Sequence, residues 1–234
     1  MKRRPRLYFS FRSPYSWLTV HRLRREVPDV FDRLDWFPYW DPDAKTAAAL
    51  AERGAEFHYV QMSRAKHRYI LLDTKRLAER SGLTMAWPID VDPWWELPHL
   101  AWLAARRAGR AMPFYDALVA ARWGRGEDIC TPEVIGRAAV EAGFDPVAAQ
   151  HATDDEEIRA EATDCLEAAY DDDVFGIPYL RWGRHRFWGL DRLDHFLAAW
   201  RPEIDPPAAD PAAGVPAAVV AGAAFDTDTP GGCG

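Results

Sequence analysis

Leu7-Tyr8-Phe9-Ser10-Phe11-Arg12-Ser13-Pro14-Tyr15-Ser16-Trp17-Leu18 is the stretch that decides how this chain folds. Residues 7–11 form a short apolar run rich in aromatics, which predicts a buried strand. Ser13 and Pro14 then supply a helix start. Serine is a strong N-cap, and proline suits the first helical position because its missing N–H is not needed there. Trp17, Val20, Leu23 and Val27 recur at helical spacing and are expected to face the sheet. Pro28 closes that helix, and a second strand is expected over residues 34–40, before Pro42. The natural form of such a β-α-β unit is a right-handed crossover between parallel strands.

From about residue 43 to 172 strand-like runs nearly vanish. Helices are expected over residues 66–80, 94–109, 113–123, 131–142 and 154–170. Gly82, Gly109, Gly124 and Gly143-Phe144-Asp145-Pro146 punctuate their ends. Sheet character returns at residues 179–182 and 186–188, with Gly183-Arg184 between them as a hairpin turn. A last helix is expected over residues 191–200. Beyond Pro202 the chain is mostly Ala, Pro, Gly and Asp, a composition that predicts disorder. The order is therefore β-α-β, helices, β-β-α. That is an α/β thioredoxin fold with an inserted all-helical domain: residues 5–42 and 173–201 are its two halves, 43–172 the insertion and 202–234 a tail.

Composition narrows the function. The chain has 234 residues, 48% hydrophobic and 13% aromatic, enough for one sizeable core. Eleven Trp is a heavy load, and adjacent Trp94 and Trp95 are candidates for lining a pocket, although core packing is the commoner use of a Trp. Net charge is -7 with the basic residues scattered, which argues against a nucleic-acid partner. Lys2-Arg3-Arg4 has no long apolar run behind it and does not read as a secretory signal. No stretch approaches the roughly 18 apolar residues of a membrane span. Cys130, Cys165 and Cys233 are odd in number and form no CxxC, which fits a reducing, cytoplasmic compartment. The seven His show no metal-ligand spacing, so no metal is expected. There is no G-x-S-x-G turn to suggest a hydrolase.

Three features could carry chemistry. Ser13, at a helix N-terminus, would present its hydroxyl among free backbone N–H groups at the positive end of the helix dipole. A hydroxyl there can donate to a bound thiolate or oxyanion; its plainer role is capping alone. Ile177-Pro178 precedes a strand, where the thioredoxin order places a cis X-Pro bond. It would offer the Ile177 backbone to an extended ligand; the plainer alternative is an ordinary turn. Gly189-Leu190-Asp191 opens the last helix, and Asp191 could bind an ammonium group or merely cap that helix.

Together, Phe11-Arg12-Ser13-Pro14-Tyr15-Ser16-Trp17-Leu18, Val174-Phe175-Gly176-Ile177-Pro178-Tyr179 and Phe187-Trp188-Gly189-Leu190-Asp191-Arg192-Leu193 carry a resemblance. They resemble the 2-hydroxychromene-2-carboxylate isomerase and kappa-class glutathione transferase branch of the DsbA-like superfamily. The resemblance covers about residues 6–200 and is most specific at its ends. Lys66-His67-Arg68-Tyr69 with Asp73 and Arg76, then Gly82-Leu83, is similar to the family's helical-domain pattern. It implies that Ser13 is the catalytic serine that polarises the sulfur of glutathione, and that Ile177, before cis-Pro178, holds the cysteinyl part. Leu190 and Asp191 fall where the family binds the γ-glutamyl end, and Trp87-Pro88 falls near the organic substrate. The chain departs from the family twice: Ser10 stands where many relatives have an acidic residue, and the sequence contains no Asn to take the role of the family's ligand-binding one.

The implied activity is cis-trans isomerisation of a conjugated C=C bond in a small unsaturated or aromatic metabolite, in aromatic degradation or polyene secondary metabolism. Glutathione or another low-molecular-weight thiol is the implied cofactor. Arg64, Lys66 and Arg68 are the candidates for steadying enolate charge. A kappa-like thiol transferase and a redox-inactive thioredoxin-fold binding protein are the alternatives. A disulfide oxidoreductase is disfavoured for want of a CxxC at the helix start. The aromatic load is consistent with a homodimer.

Overall fold

The sheet has four strands, β1 (Arg6–Phe9), β2 (Asp35–Pro38), β3 (Tyr179–Trp182) and β4 (His185–Trp188), in the order β2-β1-β3-β4. β1 runs parallel to β2 and antiparallel to β3, which pairs antiparallel with β4. The computed structural model describes residues 4–58 and 62–204. The tail expected to be disordered lies outside the described residues from 205 onward.

Leu7-Tyr8-Phe9 of β1 is an apolar run because both faces of the strand are covered. On one face Phe9 meets Trp36, Trp102 and Tyr115 edge-on, with ring centroids 5.1–5.8 Å away. On the other, the Tyr8 hydroxyl donates to Asp172 Oδ2 at 2.6 Å, and Arg6 pairs with the same buried carboxylate. The parallel pairing of β1 and β2 is carried one rung further by the Tyr39 N–H, which donates to Phe9 O at 2.7 Å. Between them run α1 (Pro14–Glu26) and the short α2 (Val30–Arg33).

All elements between β2 and β3 are helical: α3 (Ala44–Glu52), α4 (Arg64–Arg80), α5 (Glu96–Arg107), α6 (Ala111–Val119), α7 (Pro132–Glu141), α8 (Pro146–Gln150) and α9 (Glu156–Asp171). A π-helical turn, Ala120–Gly124, follows α6. The elements are those of a thioredoxin fold, with a mixed sheet and a large helical portion.

The structure corrects the sequence reading at several points. α3 was not expected: it is built mainly from Ala, which has the highest helix propensity but leaves no periodic trace of large apolar side chains. The Asp43 side chain caps it by accepting the Thr46 N–H at 2.9 Å. Asp145-Pro146, read as an ending, instead starts α8, with Asp145 accepting the Val147 N–H. The helix expected over 113–123 begins at Ala111 and changes to π form at Ala120. The last helix begins with a 3-10 turn, Leu190–Arg192, and continues as α10 (Leu193–Ile204).

Candidate active site

The loop from β1 to α1 is pinned by four backbone donors. Ser10 N–H donates to Ser16 Oγ at 3.3 Å and Phe11 N–H to His99 Nε2 at 3.2 Å. Arg12 N–H donates to Ser10 Oγ at 3.2 Å and Ser13 N–H to Ser10 O at 3.1 Å. Ser13 is the N-cap of α1, its Oγ accepting the Ser16 N–H at 3.2 Å. A hydroxyl offers one donor as well as its lone pairs. Capping uses only a lone pair, and among the described residues the Ser13 O–H has no acceptor. The residue is half-buried, so that donor is within reach of a ligand.

Behind the loop lies a buried polar chain that sequence reasoning missed. His99, on α5, is fully buried and its Nδ1 lies 2.6 Å from Trp95 O. A carbonyl can only accept, so Nδ1 carries the proton and Nε2 is the acceptor. The Ser10 hydroxyl, 3.2 Å from Nε2, therefore donates to it while accepting the Arg12 N–H. Burial pushes the His99 pKa down to about 3 and keeps the ring neutral. Trp40 stacks on His99 at 5.1 Å and donates its indole N–H to the buried Glu96. Arg159 binds both oxygens of Asp43, at 3.3 and 3.1 Å. Burial raises the Asp43 pKa, but its bonds from Thr46 N–H and Arg159 outweigh this and hold the carboxyl low. Arg159 also lies 3.8 Å from Glu96 Oε1, yet the carboxyl is fully buried beside Asp43, and burial pushes its pKa up to about 7.

Ile177 and Pro178 sit at the same end of the sheet as this loop. The β1–β3 pairing ends with Tyr8 opposite Tyr179, so Pro178 enters β3 beside the end of β1. The Ile177–Pro178 peptide bond is cis. Among the described residues the Ile177 N–H and C=O have no hydrogen-bond partner, whereas Pro178 O accepts the Gly189 N–H at 2.9 Å. Gly176 is required, because a Cβ there would lie 2.7 Å from Trp188 Nε1. Gly189 has φ +92°, and a Cβ on it would meet Asp191 Oδ1 at 2.7 Å. The exposed Asp191 carboxylate thus folds back over Gly189 and accepts from Arg192 at 2.6 Å. Leu190 packs against the cluster of Trp17, Leu18, Ala78 and Trp123, which draws the 3-10 turn onto α1.

Trp87 belongs to the same region. Its ring meets Trp123 edge-on at 5.8 Å, and Trp123 stacks on Trp17 at 6.0 Å. Trp17 lies one turn along α1 from Ser13. Of the two pocket candidates Trp94 is exposed and Trp95 is buried, with the guanidinium groups of Arg12 and Arg122 over its ring at 5.7 and 4.8 Å. Arg64, Lys66 and Arg68 occupy the first turns of α4 with exposed side chains. Among the described residues no contact brings them to Ser13. Water there weakens any charge they could offer.

Among the described residues no group of three or more His, Cys, Asp or Glu is placed to hold a metal ion, and no helix is long and apolar enough to cross a membrane. Cys130 and Cys165 are free thiols, and burial pushes both pKa values up, Cys165 to about 12. Neither is suited to act as a nucleophile.

A 2-hydroxychromene-2-carboxylate isomerase from Pseudomonas putida is 22% identical to this chain over 191 residues, covering 80% of this chain and 88% of that protein. One of the same description from Sphingobium xenophagum is 28% identical over 196 residues, covering 80% and 92%. A solved structure of a 2-hydroxychromene-2-carboxylate isomerase superposes with a TM-score of 0.67 at 21% identity, over 88% of this chain and all of that one. The family model of the DSBA-like thioredoxin domain matches residues 6–201, which takes in every strand and the loop of Ser13, and the chain belongs to that family.

Proposed function

We propose that the chain is an isomerase that interconverts cis and trans forms of a conjugated carbon–carbon double bond in a small, flat substrate, with glutathione or another low-molecular-weight thiol as cofactor. The observation that carries this reading is at the start of α1, where a serine with an unspent O–H donor stands instead of a cysteine. The names of the two curated relatives point the same way.

The residues at this sheet end fit a thiol tripeptide. The Ser13 O–H can donate to a sulfur, and the unpaired Ile177 backbone can pair with peptide groups in the manner of an added strand. The exposed Asp191 carboxylate keeps acceptor capacity for an ammonium group beyond its bond to Arg192. When bound, such a thiol supplies a nucleophile that adds to the conjugated system, allows rotation about the former double bond, and leaves unconsumed. The protein's part is to keep the sulfur ionised through the Ser13 hydroxyl and the α1 dipole. Trp87, half-exposed and packed on the buried pair Trp123 and Trp17, offers an aromatic face to a flat substrate.

The test uses the full chain with 2-hydroxychromene-2-carboxylate, with and without glutathione, following isomer ratio by absorbance and free thiol by titration. The expected result is faster equilibration that depends on thiol without consuming it and is lost in Ser13→Ala. Stoichiometric loss of thiol would indicate a transferase instead. Thiol-independent activity that survives Ser13→Ala would remove Ser13 from the mechanism.

A further inference from the structure

Two adjacent side chains of the π-helical turn present buried donors that the fold does not use. Arg122 and Trp123 are 3% and 1% exposed, and among the described residues Arg122 Nε and Trp123 Nε1 have no hydrogen-bond partner. A buried N–H left without an acceptor costs about 1–3 kcal/mol, and native folds seldom tolerate one, let alone two side by side. Both groups are donors only, so what satisfies them must be an acceptor.

The two side chains are neighbours in space as well as in sequence. The guanidinium carbon of Arg122 lies 4.7 Å from the centroid of the Trp123 ring, and each orphaned nitrogen is bonded to or part of one of those groups. Asp90 fixes the guanidinium by accepting from its two terminal nitrogens at 2.8 and 2.9 Å, and the Trp95 ring lies 4.8 Å from its carbon. The Nε edge is what remains. In an α-helix consecutive side chains diverge by about 100°. Here both are buried within Ala120–Gly124, a π-helical form that recurs at functional sites.

We infer that Arg122 Nε–H and Trp123 Nε1–H form a two-donor subsite for a negatively charged oxygen of the flat, conjugated substrate. The inference rests on the isomerase reading for the shape of that substrate. The Trp123 ring joins the subsite to α1 through Trp17, one turn from Ser13, and to the half-exposed Trp87. A planar ligand held against Trp87, beside Trp123, would bring an acidic oxygen toward the donors. Charge-assisted bonds in a dry site are worth more than contacts from exposed cations, which favours this pair over Arg64, Lys66 and Arg68.

The test is equilibrium binding to the full chain by calorimetry, without thiol. The probes are coumarin-3-carboxylate and coumarin, which share a flat bicycle and differ by one carboxylate. The acid is expected to bind about tenfold tighter than the neutral probe, the ratio one charge-assisted hydrogen bond supports. Arg122→Lys keeps the charge opposite Asp90, and Trp123→Phe keeps a stacking ring. Each is expected to cut the preference to roughly threefold or less, whereas Ser13→Ala leaves the preference intact. Equal binding of the two probes by the unaltered chain, or a preference that survives both substitutions, overturns the subsite. No turnover is needed, so inactivity toward 2-hydroxychromene-2-carboxylate would remove the isomerase reading without touching this result.

Discussion

His99 Nε2 accepts the N–H of Phe11 at 3.2 Å, so a residue of α5 holds the loop that presents Ser13. Ser10 completes the arrangement, donating to the same nitrogen and accepting from Arg12. A hydroxyl can do both at once, which gives a physical role to the serine that departs from the family's acidic residue. His99→Leu would strip the acceptor from both donors in a dry place. A loss of about 2–4 kcal/mol is expected in urea unfolding. The folded pKa lies near 3, below the ordinary histidine value, so the unfolded chain takes up a proton first as the solution is acidified. This contribution is whole above about pH 6.5 and is lost as pH falls toward 3; the leucine variant should lack that part of the acid sensitivity.

Glu96 works in the opposite sense. Its folded pKa is raised to about 7, so the folded protein holds a proton that the unfolded chain releases near pH 4.5. The stability it contributes is full below about pH 4.5 and declines as pH rises through 7. Glu96→Gln can still accept from Trp40 and carries no charge. It should be more stable than the parent by about 1–3 kcal/mol at pH 8 and lose that advantage near pH 4, as read from thermal unfolding at the two pH values.

Ser13→Cys places a thiol where the helix dipole and the first-turn N–H groups favour its ionised form. Its rate of alkylation by iodoacetamide should reach half-maximum at a pH at least about one unit below the free cysteine value near 8.5. The buried Cys130 and Cys165 should stay silent over that range. An ordinary titration midpoint would mean that the α1 terminus does not stabilise an anion.

Gly189→Ala meets two obstacles: a φ of +92° and an Asp191 Oδ1 only 2.7 Å from the new Cβ. A stability loss of about 1–2 kcal/mol is expected from the backbone alone. The Asp191 carboxylate must also move, so glutathione binding measured by calorimetry should weaken by roughly tenfold, the worth of one charge-assisted bond. Unchanged affinity would take Asp191 out of the thiol site.

The ends of the fold were legible because their signals are local. An apolar run, Ser13-Pro14 and a 3.6-residue apolar spacing specify strand, cap and helix through contacts a few residues apart. β3 and the hairpin at Gly183 were readable for the same reason. α3 and α8 were not, because an Ala-rich helix and a five-residue helix leave little periodic trace.

By itself, then, the sequence determined the thioredoxin order, the serine at the head of α1 and the turns around Pro178 and Gly189. Tertiary structure alone decided what stands behind and beside that serine. His99, Glu96, Arg122 and Trp123 lie roughly 85–110 positions away along the chain. A buried histidine, carboxyl or arginine has the same letter as an exposed one. What distinguishes it is desolvation and the identity of its partners, and those exist only once α5 and the π turn have packed against the Ser10–Ser13 loop and α1.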